Sequence, residues 1–338
     1  AMGVARQFLT DPEWVTKLIN DDNRSIMPCI CCHNACFNMA HYNGVANDQT
    51  LSDNAGMARC ALNPRTMQSK KYKIVKTTSP KTVAIIGGGI GGMETARVLA
   101  LRGHKPTIYE KSDRLGGVFV AAASPSFKEK DRELIAWYEK QMKDLGIEIK
   151  FNTEVSANNL PKADEVIVAT GSKPRKLRLE GAEKAIEACE YLYGEKEVGD
   201  RVAIIGGGLS ALECGIQLAY EGHEVVLLSR IAENDSWHEV MNELRSGLIE
   251  LKDRYGVKII DEANAVKITD SGVVYERDGS LCEVRADTVV LACGLEPNKN
   301  AITAFREMMP DVVVVGDARK TGNIFAANAD AFNVAVEL

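Results

Sequence analysis

The chain has 338 residues, of which 45% are hydrophobic and 26% are charged, and this composition excludes a disordered or fibrous protein. The net charge is −6 and the charges are interspersed, so no basic face is offered to nucleic acid or to anionic lipid. Apolar runs such as residues 312–315 are far shorter than the roughly 20 residues that span a bilayer. Because no signal segment opens the sequence, we expect a cytoplasmic protein that binds small molecules.

Five of the nine cysteines lie between Cys29 and Cys60. In a reducing compartment such a cluster indicates metal binding rather than disulfides. Cys29, Cys32 and Cys36 are close enough in sequence to hold three corners of one iron–sulfur cube, and Cys60 can complete it. We therefore predict a 4Fe-4S cluster on these four residues, with Cys31 as a bystander. Zinc is the alternative, although the sequence lacks the paired cysteine knuckles or well-spaced histidines that structural zinc prefers.

The first nucleotide-binding pattern occupies residues 82–111, which run as strand, glycine turn, helix and second strand. Gly87 is expected to make the turn, Gly89 to let the backbone approach a pyrophosphate, and Gly92 to let the helix press on the strand. The phosphates are expected at the helix N-terminus, where free N–H groups and the positive end of the dipole lie. Glu110, at the end of the second strand, is expected to accept hydrogen bonds from the ribose hydroxyls of FAD or NAD.

Residues 201–230 repeat this unit without a gap, and the repetition in the same strand–turn–helix context predicts a second nucleotide site. Gly206 and Gly208 take the places of the first two glycines. Ser229 replaces the acidic residue and Arg230 follows it, which favours the 2′-phosphate of NADPH over NADH. The alternatives are that Arg230 is merely solvated and that the fold carries tight turns without a ligand.

Four segments outside the repeat complete a larger pattern. They are RLGG at 114–117, VIVATG at 166–171, VLACG at 290–294 and VVVVGD at 312–317. Over roughly residues 80–338 the chain thereby resembles the pyridine nucleotide-disulfide reductase superfamily, in which one Rossmann domain holds FAD and a second, inserted in it, holds NAD(P)H. The resemblance implies that further FAD-binding residues are Arg114, Gly117, Ala169, Gly171 and Asp317.

The chain departs from that superfamily in its cysteines. Reductases with a redox-active disulfide carry two cysteines close in sequence beside the flavin, whereas the cysteines in this part of the chain are isolated and are expected to be small hydrophobes. These four are Cys189, Cys214, Cys282 and Cys293. Electrons on FAD are therefore expected to leave through the cysteine cluster.

The segments around that cluster carry a narrower resemblance. Residues 6–14 (RQFLTDPEW), 28–30 (PCI) and 60–64 (CALNP) resemble the barrel-to-cluster junction of the multidomain Old Yellow Enzyme group, which includes 2,4-dienoyl-CoA reductase and trimethylamine dehydrogenase. In that group an FMN-carrying barrel precedes the cluster. A barrel needs about 250 residues, and far fewer precede the first Rossmann strand here. The resemblance implies a fragment whose residues 4–25 are the end of a missing barrel, or a barrel on a separate subunit.

These patterns predict an α/β fold with two Rossmann-like nucleotide-binding domains, the second inserted in the first, preceded by a cysteine-rich cluster-binding arm. The arm is assigned to residues 1–79, including the remnant of a barrel C-terminal helix. The FAD-binding domain is assigned to 80–196 and 297–338, and the NAD(P)H-binding domain to 197–296.

The predicted function is the NAD(P)H-oxidising, electron-transfer portion of a flavin/iron–sulfur oxidoreductase. A hydride would pass from NADP or NAD in its reduced form to FAD, and single electrons would pass through the 4Fe-4S cluster to FMN in the missing barrel, where activated C=C bonds of enoate or dienoyl-CoA type are reduced. No acid–base residue is expected in this chain. One alternative is an ADP-holding structural domain of an amine dehydrogenase-like flavoprotein. Another is an electron-input subunit resembling the small subunit of glutamate synthase.

Overall fold

The computed structural model describes residues 3–36, 58–237 and 242–338. The predicted loop between Cys36 and Cys60 lies largely outside these residues. Contacts divide the chain into two compact units. The first unit comprises Ala1–Val120, Glu129–Lys173 and Glu296–Leu338, and the second comprises Ala121–Lys128 and Pro174–Leu295.

The described residues form fifteen strands. They are β1 (Thr82–Ile86), β2 (Lys105–Tyr109), β3 (Glu148–Lys150), β4 (Glu165–Val168), β5 (Ser172–Pro174), β6 (Ile186–Glu187), β7 (Arg201–Ile205), β8 (Glu224–Leu228), β9 (Lys258–Ile260), β10 (Asn264–Thr269), β11 (Gly272–Arg277), β12 (Ser280–Arg285), β13 (Thr288–Leu291), β14 (Leu295–Pro297) and β15 (Val313–Val314).

Ten α-helices accompany these strands in the described part of the chain. They are α1 (Arg6–Thr10), α2 (Trp14–Ile19), α3 (Ile90–Leu101), α4 (Phe119–Ala123), α5 (Glu129–Asp144), α6 (Ala188–Leu192), α7 (Leu209–Tyr220), α8 (Asn242–Tyr255), α9 (Lys299–Met308) and α10 (Ile324–Glu337). Each of the helices described is too short or too polar to cross a lipid bilayer.

The sheet of the first unit is parallel, with strand order β15-β4-β1-β2-β3. β1 is apolar along almost its whole length because helices cover both faces of a parallel sheet. Ile86 at its end lies beside Tyr109 of β2 and Val168 of β4. The carboxyl ends of three strands therefore meet at one edge, where the glycine turn begins.

The second unit repeats this arrangement in a parallel sheet with strand order β6-β13-β7-β8-β9. Three antiparallel strands, β10-β11-β12, form hairpins whose inner residues join the core beneath β7 and β8. Ile205 at the end of β7 lies beside Leu228 of β8 and Leu291 of β13, as Ile86 does in the first sheet. The predicted α/β fold with two Rossmann-like units is confirmed.

The compact units divide the chain at different positions from the predicted domains. The second unit begins at Pro174 rather than at residue 197, because Ile186–Glu187 joins its sheet as β6. It also includes Ala121–Lys128, which sequence order had assigned to the FAD domain. There the amide N–H of Ser126 donates to Oε1 of Gln217 at 2.7 Å, and Lys128 forms an ion pair with Glu213 at 2.5 Å.

A buried polar network ties three helices of the first unit together. Glu94 on α3 is fully buried and accepts two hydrogen bonds from the Arg97 guanidinium, at 2.7 and 2.8 Å. The Tyr138 hydroxyl on α5 lies 3.2 Å from Oε2 of Glu94 and 3.0 Å from Oδ1 of Asn328 on α10. The Arg97 guanidinium also stacks over the Trp137 ring, 5.6 Å from its centroid. The helices α5 and α10 thus pack against α3 around the buried Glu94 carboxylate, and Arg97 is the ionic partner of that carboxylate.

Replacing Arg97 by methionine tests this network. Glu94 would keep a buried charge without its counter-ion, so we expect the free energy of unfolding to fall by about 3 kcal/mol. The matched control is K130M, which breaks the exposed Lys130–Glu133 pair of the same i,i+3 spacing and should cost less than about 0.5 kcal/mol. Urea unfolding of both variants measures the difference. Equal losses would show that the buried pair does not support the core.

Candidate functional site

The first glycine turn is a tight backbone crossing at the end of β1. Gly87 has φ +110°, and a Cβ built there would lie 2.4 Å from the carbonyl oxygen of Ala169. A Cβ on Gly92 would lie 2.0 Å from the carbonyl oxygen of Gly87. Both distances are far inside van der Waals contact, so the turn and the approach of α3 to the strand require glycine at these two positions.

Gly89 differs from its two neighbours because the fold does not require it to be glycine. Its φ is −72°, and a Cβ there would meet only Gly117 and Gly116 backbone atoms at 3.9–4.0 Å. Gly89 is the N-cap of α3, and no described side chain caps that helix end. Gly89 thus packs against the backbone of the 116–117 loop without a close overlap, and the amides at the start of α3 have no side-chain cap, as is typical of an anion-binding helix N-terminus.

Glu110 lies against the glycine turn at the end of β2. Its Oε2 accepts a hydrogen bond from the Gly88 amide at 2.7 Å, and its Oε1 accepts from the Ser112 amide and hydroxyl at 2.8 Å. These bonds fix the carboxylate at the mouth of the turn. They occupy three of about four acceptor positions, so one position at Oε2 remains for a ribose hydroxyl.

The remaining predicted FAD residues lie around the same sheet edge. Gly117 has φ +55°, and a Cβ there would lie 3.1 Å from Cα of Gly89, so the 114–117 loop packs on the glycine turn. Ala169 donates its amide to Ile86, and Gly171 takes a left-handed turn with φ +65°. Arg114, in contrast, is exposed.

Asp317 lies in the short turn that follows β15. Its Oδ2 accepts from the Ser172 hydroxyl at 3.0 Å, and its Oδ1 accepts from the Gly322 amide at 3.1 Å. Burial raises the pKa of the Asp317 carboxyl, and the two hydrogen bonds oppose that rise. The structure thus joins the end of β15 to β5, which follows β4 in the chain.

The second glycine turn repeats the first with one informative change. Gly206 has φ +153°, and a Cβ there would lie 2.4 Å from the Ala292 carbonyl oxygen. Gly208 caps α7 with φ −86° and has no atom within 4 Å of a built Cβ. Ala211 occupies the position equivalent to Gly92, and its Cβ lies 3.3 Å from the Cβ built on Gly206. This helix stands far enough from its strand to accept a methyl group.

The two residues predicted to select the nicotinamide nucleotide have different surroundings. Ser229 is buried, and its hydroxyl donates to the Ile231 carbonyl at 2.8 Å while accepting from the Ile231 amide at 3.1 Å. Its hydrogen bonds thus stabilise the loop after β8. Arg230 is exposed at the same strand end. The Ser229 hydroxyl is thus engaged in the loop, whereas the Arg230 side chain is exposed.

The four cysteines predicted as ligands line one cavity in the first unit. Its wall also includes Cys31, the polar residues Arg6, Thr10 and His33, and several small or apolar residues. Cys60 is buried, Cys29, Cys32 and Cys36 are partly buried, and Cys31 is exposed. The described residues contain no group of three or more His, Cys, Asp or Glu side chains placed to hold a single metal ion.

Burial makes this cavity unfavourable for free thiolates. It raises the pKa of Cys32 to about 12 and also raises the pKa of Cys60. Hydrogen bonds oppose the rise at both cysteines, from the Asn34 backbone to Cys32 and from Thr10 and Leu62 to Cys60. Metal binding removes the proton from each sulfur and compensates its charge, and several soft sulfur donors around one cavity fit an iron–sulfur cluster.

Sequence reasoning did not assign roles to the polar residues of α1 that hold the cavity together. Gln7 donates to the Met27 carbonyl at 2.8 Å and accepts from the Cys29 amide at 3.1 Å. Asp11 accepts from the Met27 amide at 2.9 Å and from Lys17 at 2.6 Å. The Thr-Asp-Pro sequence is a turn signal, but these partners are far along the chain and no local pattern reveals them.

The chain is similar to known proteins in sequence and in fold. A family model described as pyridine nucleotide-disulphide oxidoreductase matches residues 50–162 and 157–327. The chain belongs to this family. The family implies FAD and NAD(P)H as cofactors.

Three similar proteins are each about twice as long as this chain. Cinnamate reductase of Clostridium sporogenes is 37% identical over 99% of this chain and 49% of that protein. NADH oxidase of Thermoanaerobacter brockii is 30% identical over 100% of this chain and 52% of that protein. A solved structure of 2-naphthoyl-CoA reductase superposes with a TM-score of 0.89 and 26% identity, over 99% of this chain and 50% of that one.

The oxidoreductase chain therefore spans about half the length of the relatives it matches. The prediction that it resembles the flavin-reductase part of Old Yellow Enzyme-type oxidoreductases, within the pyridine nucleotide-disulphide oxidoreductase superfamily, is confirmed.

The open glycine of the second cradle gives a direct test of nucleotide binding. In G208A the added methyl group meets no protein atom, so we expect an unchanged melting temperature. The same methyl group would obstruct a diphosphate, and NAD(P)H should bind at least tenfold more weakly, about 1.4 kcal/mol. The control G247A also adds a methyl group in open space, on α8, and should bind normally. Nucleotide titration followed by calorimetry measures this, and normal binding by G208A would contradict the assignment of the cradle.

Proposed function

We propose that this chain is the electron-input part of a longer flavin/iron–sulfur oxidoreductase that reduces activated C=C bonds in a separate, FMN-carrying barrel. In this proposal the first cradle binds FAD, the second binds NADPH or NADH, and the cysteine pocket binds a 4Fe-4S cluster. Electrons enter at the second cradle and leave through the pocket.

The observation that carries the proposal is the common cavity of Cys29, Cys32, Cys36 and Cys60. This cavity belongs to the same compact unit as the first cradle. Met27, Cys60 and Leu62 share one hydrophobic core with strand β1, whose end makes the glycine turn. Electron transfer from a flavin to an iron–sulfur cluster requires the two cofactors to be held by one folded unit. The cavity of the four cysteines and the first nucleotide cradle share one hydrophobic core, which supports this proposal.

The chain's own residues bind and orient in this proposal. In this proposal Gly89 and Gly208 lie beside the two diphosphates, and Glu110 faces the ribose. Asp317 accepts hydrogen bonds from Ser172 and Gly322, which hold it for contact with the flavin's ribitol chain. Bound cofactors supply the hydride chemistry and the change from two-electron to one-electron transfer. No described residue is assigned a proton-transfer role.

A missing partner domain is supported by an exposed apolar face on α2. Val15 and Leu18 are about two-fifths exposed and Ile19 is 79% exposed. Apolar side chains grouped on one short helix are typical of a surface that another domain covers. We propose that the barrel, which would supply the other half of the relatives' length, covers this face. The names cinnamate reductase and 2-naphthoyl-CoA reductase support an unsaturated organic acid or its thioester as the final acceptor.

The ADP-holding alternative predicts different behaviour from the same chain. A structural nucleotide site needs no second cradle with an open glycine, so Gly208 favours the electron-input function. Anaerobically purified protein should show flavin absorption that NAD(P)H bleaches. A colourless chain that carries only an adenine nucleotide would support the structural alternative and reject the proposal.

Cysteine variants test the cluster assignment. C36S removes a sulfur ligand, so iron and acid-labile sulfide should fall to less than about a tenth of the wild-type content. C31S changes an exposed cysteine of the same cavity and should retain full iron. Iron and sulfide assays on anaerobically prepared protein, with C60S as a second ligand variant, measure the contents. Iron loss in C31S with iron retained in C36S or C60S would reassign the ligands.

Arg230 is proposed to select the 2′-phosphate. In R230A the Michaelis constant for NADPH should rise about tenfold, because a charge-assisted hydrogen bond is lost, while the value for NADH stays unchanged. Lys111 follows Glu110 as Arg230 follows Ser229, so K111A is the matched control in the first cradle. Ferricyanide reduction with each nucleotide measures both constants. If the NADPH and NADH constants rise together in R230A, the residue does not read the 2′-phosphate.

A further inference from the structure

Thr10 is a buried polar residue in contact with a predicted cluster ligand. Its Oγ1 lies 3.4 Å from Sγ of Cys60, and the Leu62 amide donates to the same sulfur at 3.4 Å. Thr10 is 3% exposed, Cys60 8% and Leu62 1%. The sulfur of Cys60 therefore faces two buried hydrogen-bonding groups.

We propose that Thr10 is a positioning residue that donates a hydrogen bond to the Cys60 sulfur and thereby raises the reduction potential of the iron–sulfur cluster bound there. This inference rests on the proposed function, because it takes Cys60 as a cluster ligand. It deepens that function by naming the groups that set how readily the cluster accepts an electron.

The direction of the hydrogen bond follows from the charge on the sulfur. In the metal-free chain either the thiol or the hydroxyl can donate. A thiolate that binds iron has no proton to donate, so the hydroxyl must be the donor. The other acceptor near Thr10 is the Arg6 carbonyl at 3.4 Å, one helical turn back, and this is a neutral oxygen at the limit of hydrogen-bond length. The charged sulfur is the stronger acceptor of the two.

Thr10 is also prevented from moving away from the sulfur. The carbonyl of Leu9, its neighbour in the chain, accepts hydrogen bonds from Asn63 Nδ2 at 3.0 Å and from the Thr66 hydroxyl at 2.7 Å. Both donors follow Cys60 closely in the chain. Gln7 fastens the other side of α1 to the Cys29 segment. The short helix is thus held between the two cysteine segments, and the hydroxyl keeps its distance from Cys60.

The effect on potential follows from electrostatics. Reduction adds negative charge to the cluster and its sulfur ligands, and a fixed donor to one sulfur stabilises the reduced state more than the oxidised state. The effect is larger in a buried, apolar wall than in water because the local dielectric constant is low. Loss of the hydroxyl should therefore make the cluster harder to reduce.

The experiment compares T10V, which replaces the hydroxyl by a methyl group of similar size, with T10S, which keeps the hydroxyl. Each chain is purified anaerobically, reconstituted with ferrous iron and sulfide, and titrated with redox dyes while the reduced cluster is followed by electron paramagnetic resonance. We expect wild-type iron content in both variants. In T10V the equilibrium constant for reduction of the cluster should fall about tenfold. For a one-electron couple this is a fall of about 59 mV in the reduction potential. T10S should titrate like the wild type.

T95V is the matched control, because it removes the hydroxyl of another buried helical threonine, which donates to the Gly91 carbonyl one turn back and not to a cysteine. Its potential should equal that of the wild type. T10A also lacks the hydroxyl but adds no methyl group in its place. Its reduction potential should fall as in T10V, which would show that the change does not come from poor packing of the new methyl group.

The outcomes separate the inference from the proposed function. If the wild-type chain takes up no iron, the cluster assignment itself fails and the inference fails with it. If T10V and T10A bind iron and keep the wild-type potential, the cluster stands and the role of Thr10 is overturned. If both lose iron while T95V retains it, Thr10 is required for assembly, and the tuning role is likewise overturned.

Discussion

The function of this chain depends on how closely a bare peptide backbone can approach another group at the end of a buried strand. At Gly87, Gly92 and Gly206 that other group is the protein's own backbone, and a single methyl group would overlap a carbonyl oxygen. At Gly208 no atom lies within 4 Å of a built Cβ, and at Gly89 the nearest atoms lie at 3.9–4.0 Å, which is ordinary van der Waals contact. The first set makes the turn possible, and the second leaves room for a ligand. The turn and the room for a ligand both depend on glycine's lack of a side chain. Glycine loses more conformational entropy on folding than other residues, and the burial of apolar strands such as β1 and β7 offsets this cost.

The cysteine pocket shows the opposite requirement. Here side chains rather than backbone converge, and burial penalises the charged form of the sulfurs. Hydrogen bonds from α1 and from the chain after Cys60 oppose that penalty. The N-terminal segment is also packed on the rest of the first unit: the Trp137 indole of α5 donates to the Ser25 carbonyl at 3.0 Å, and Met27 joins the core of β1. A pocket that shares the core of the first cradle keeps its sulfurs in place without a large domain of its own.

The repeated strand–turn–helix pattern allowed both sheets to be predicted from sequence, because a buried parallel strand and a glycine turn are local signals. The strand that ends at Val168 lies in a local pattern of the same kind, VIVATG at 166–171. Long-range partners have no such signal. Nothing in the sequence near Thr10 indicates Cys60, fifty residues away, and nothing near Ser126 indicates Gln217. Spacing grouped the four cysteines, but the donors that support their sulfurs come from a helix whose polar residues look ordinary in sequence.

The two copies of the nucleotide unit also show why chain order is a poor guide to the unit boundary. Glu94 and Glu213 occupy equivalent places on α3 and α7, and each is buried beside one cation. In the first copy the cation is Arg97, one turn along the same helix. In the second copy it is Lys128, which lies in the chain between α4 and α5. A buried carboxylate without a cation is costly, so α7 depends on a residue encoded before the second copy begins. The contacts therefore assign Ala121–Lys128 to the second unit, although its sequence neighbours on both sides belong to the first.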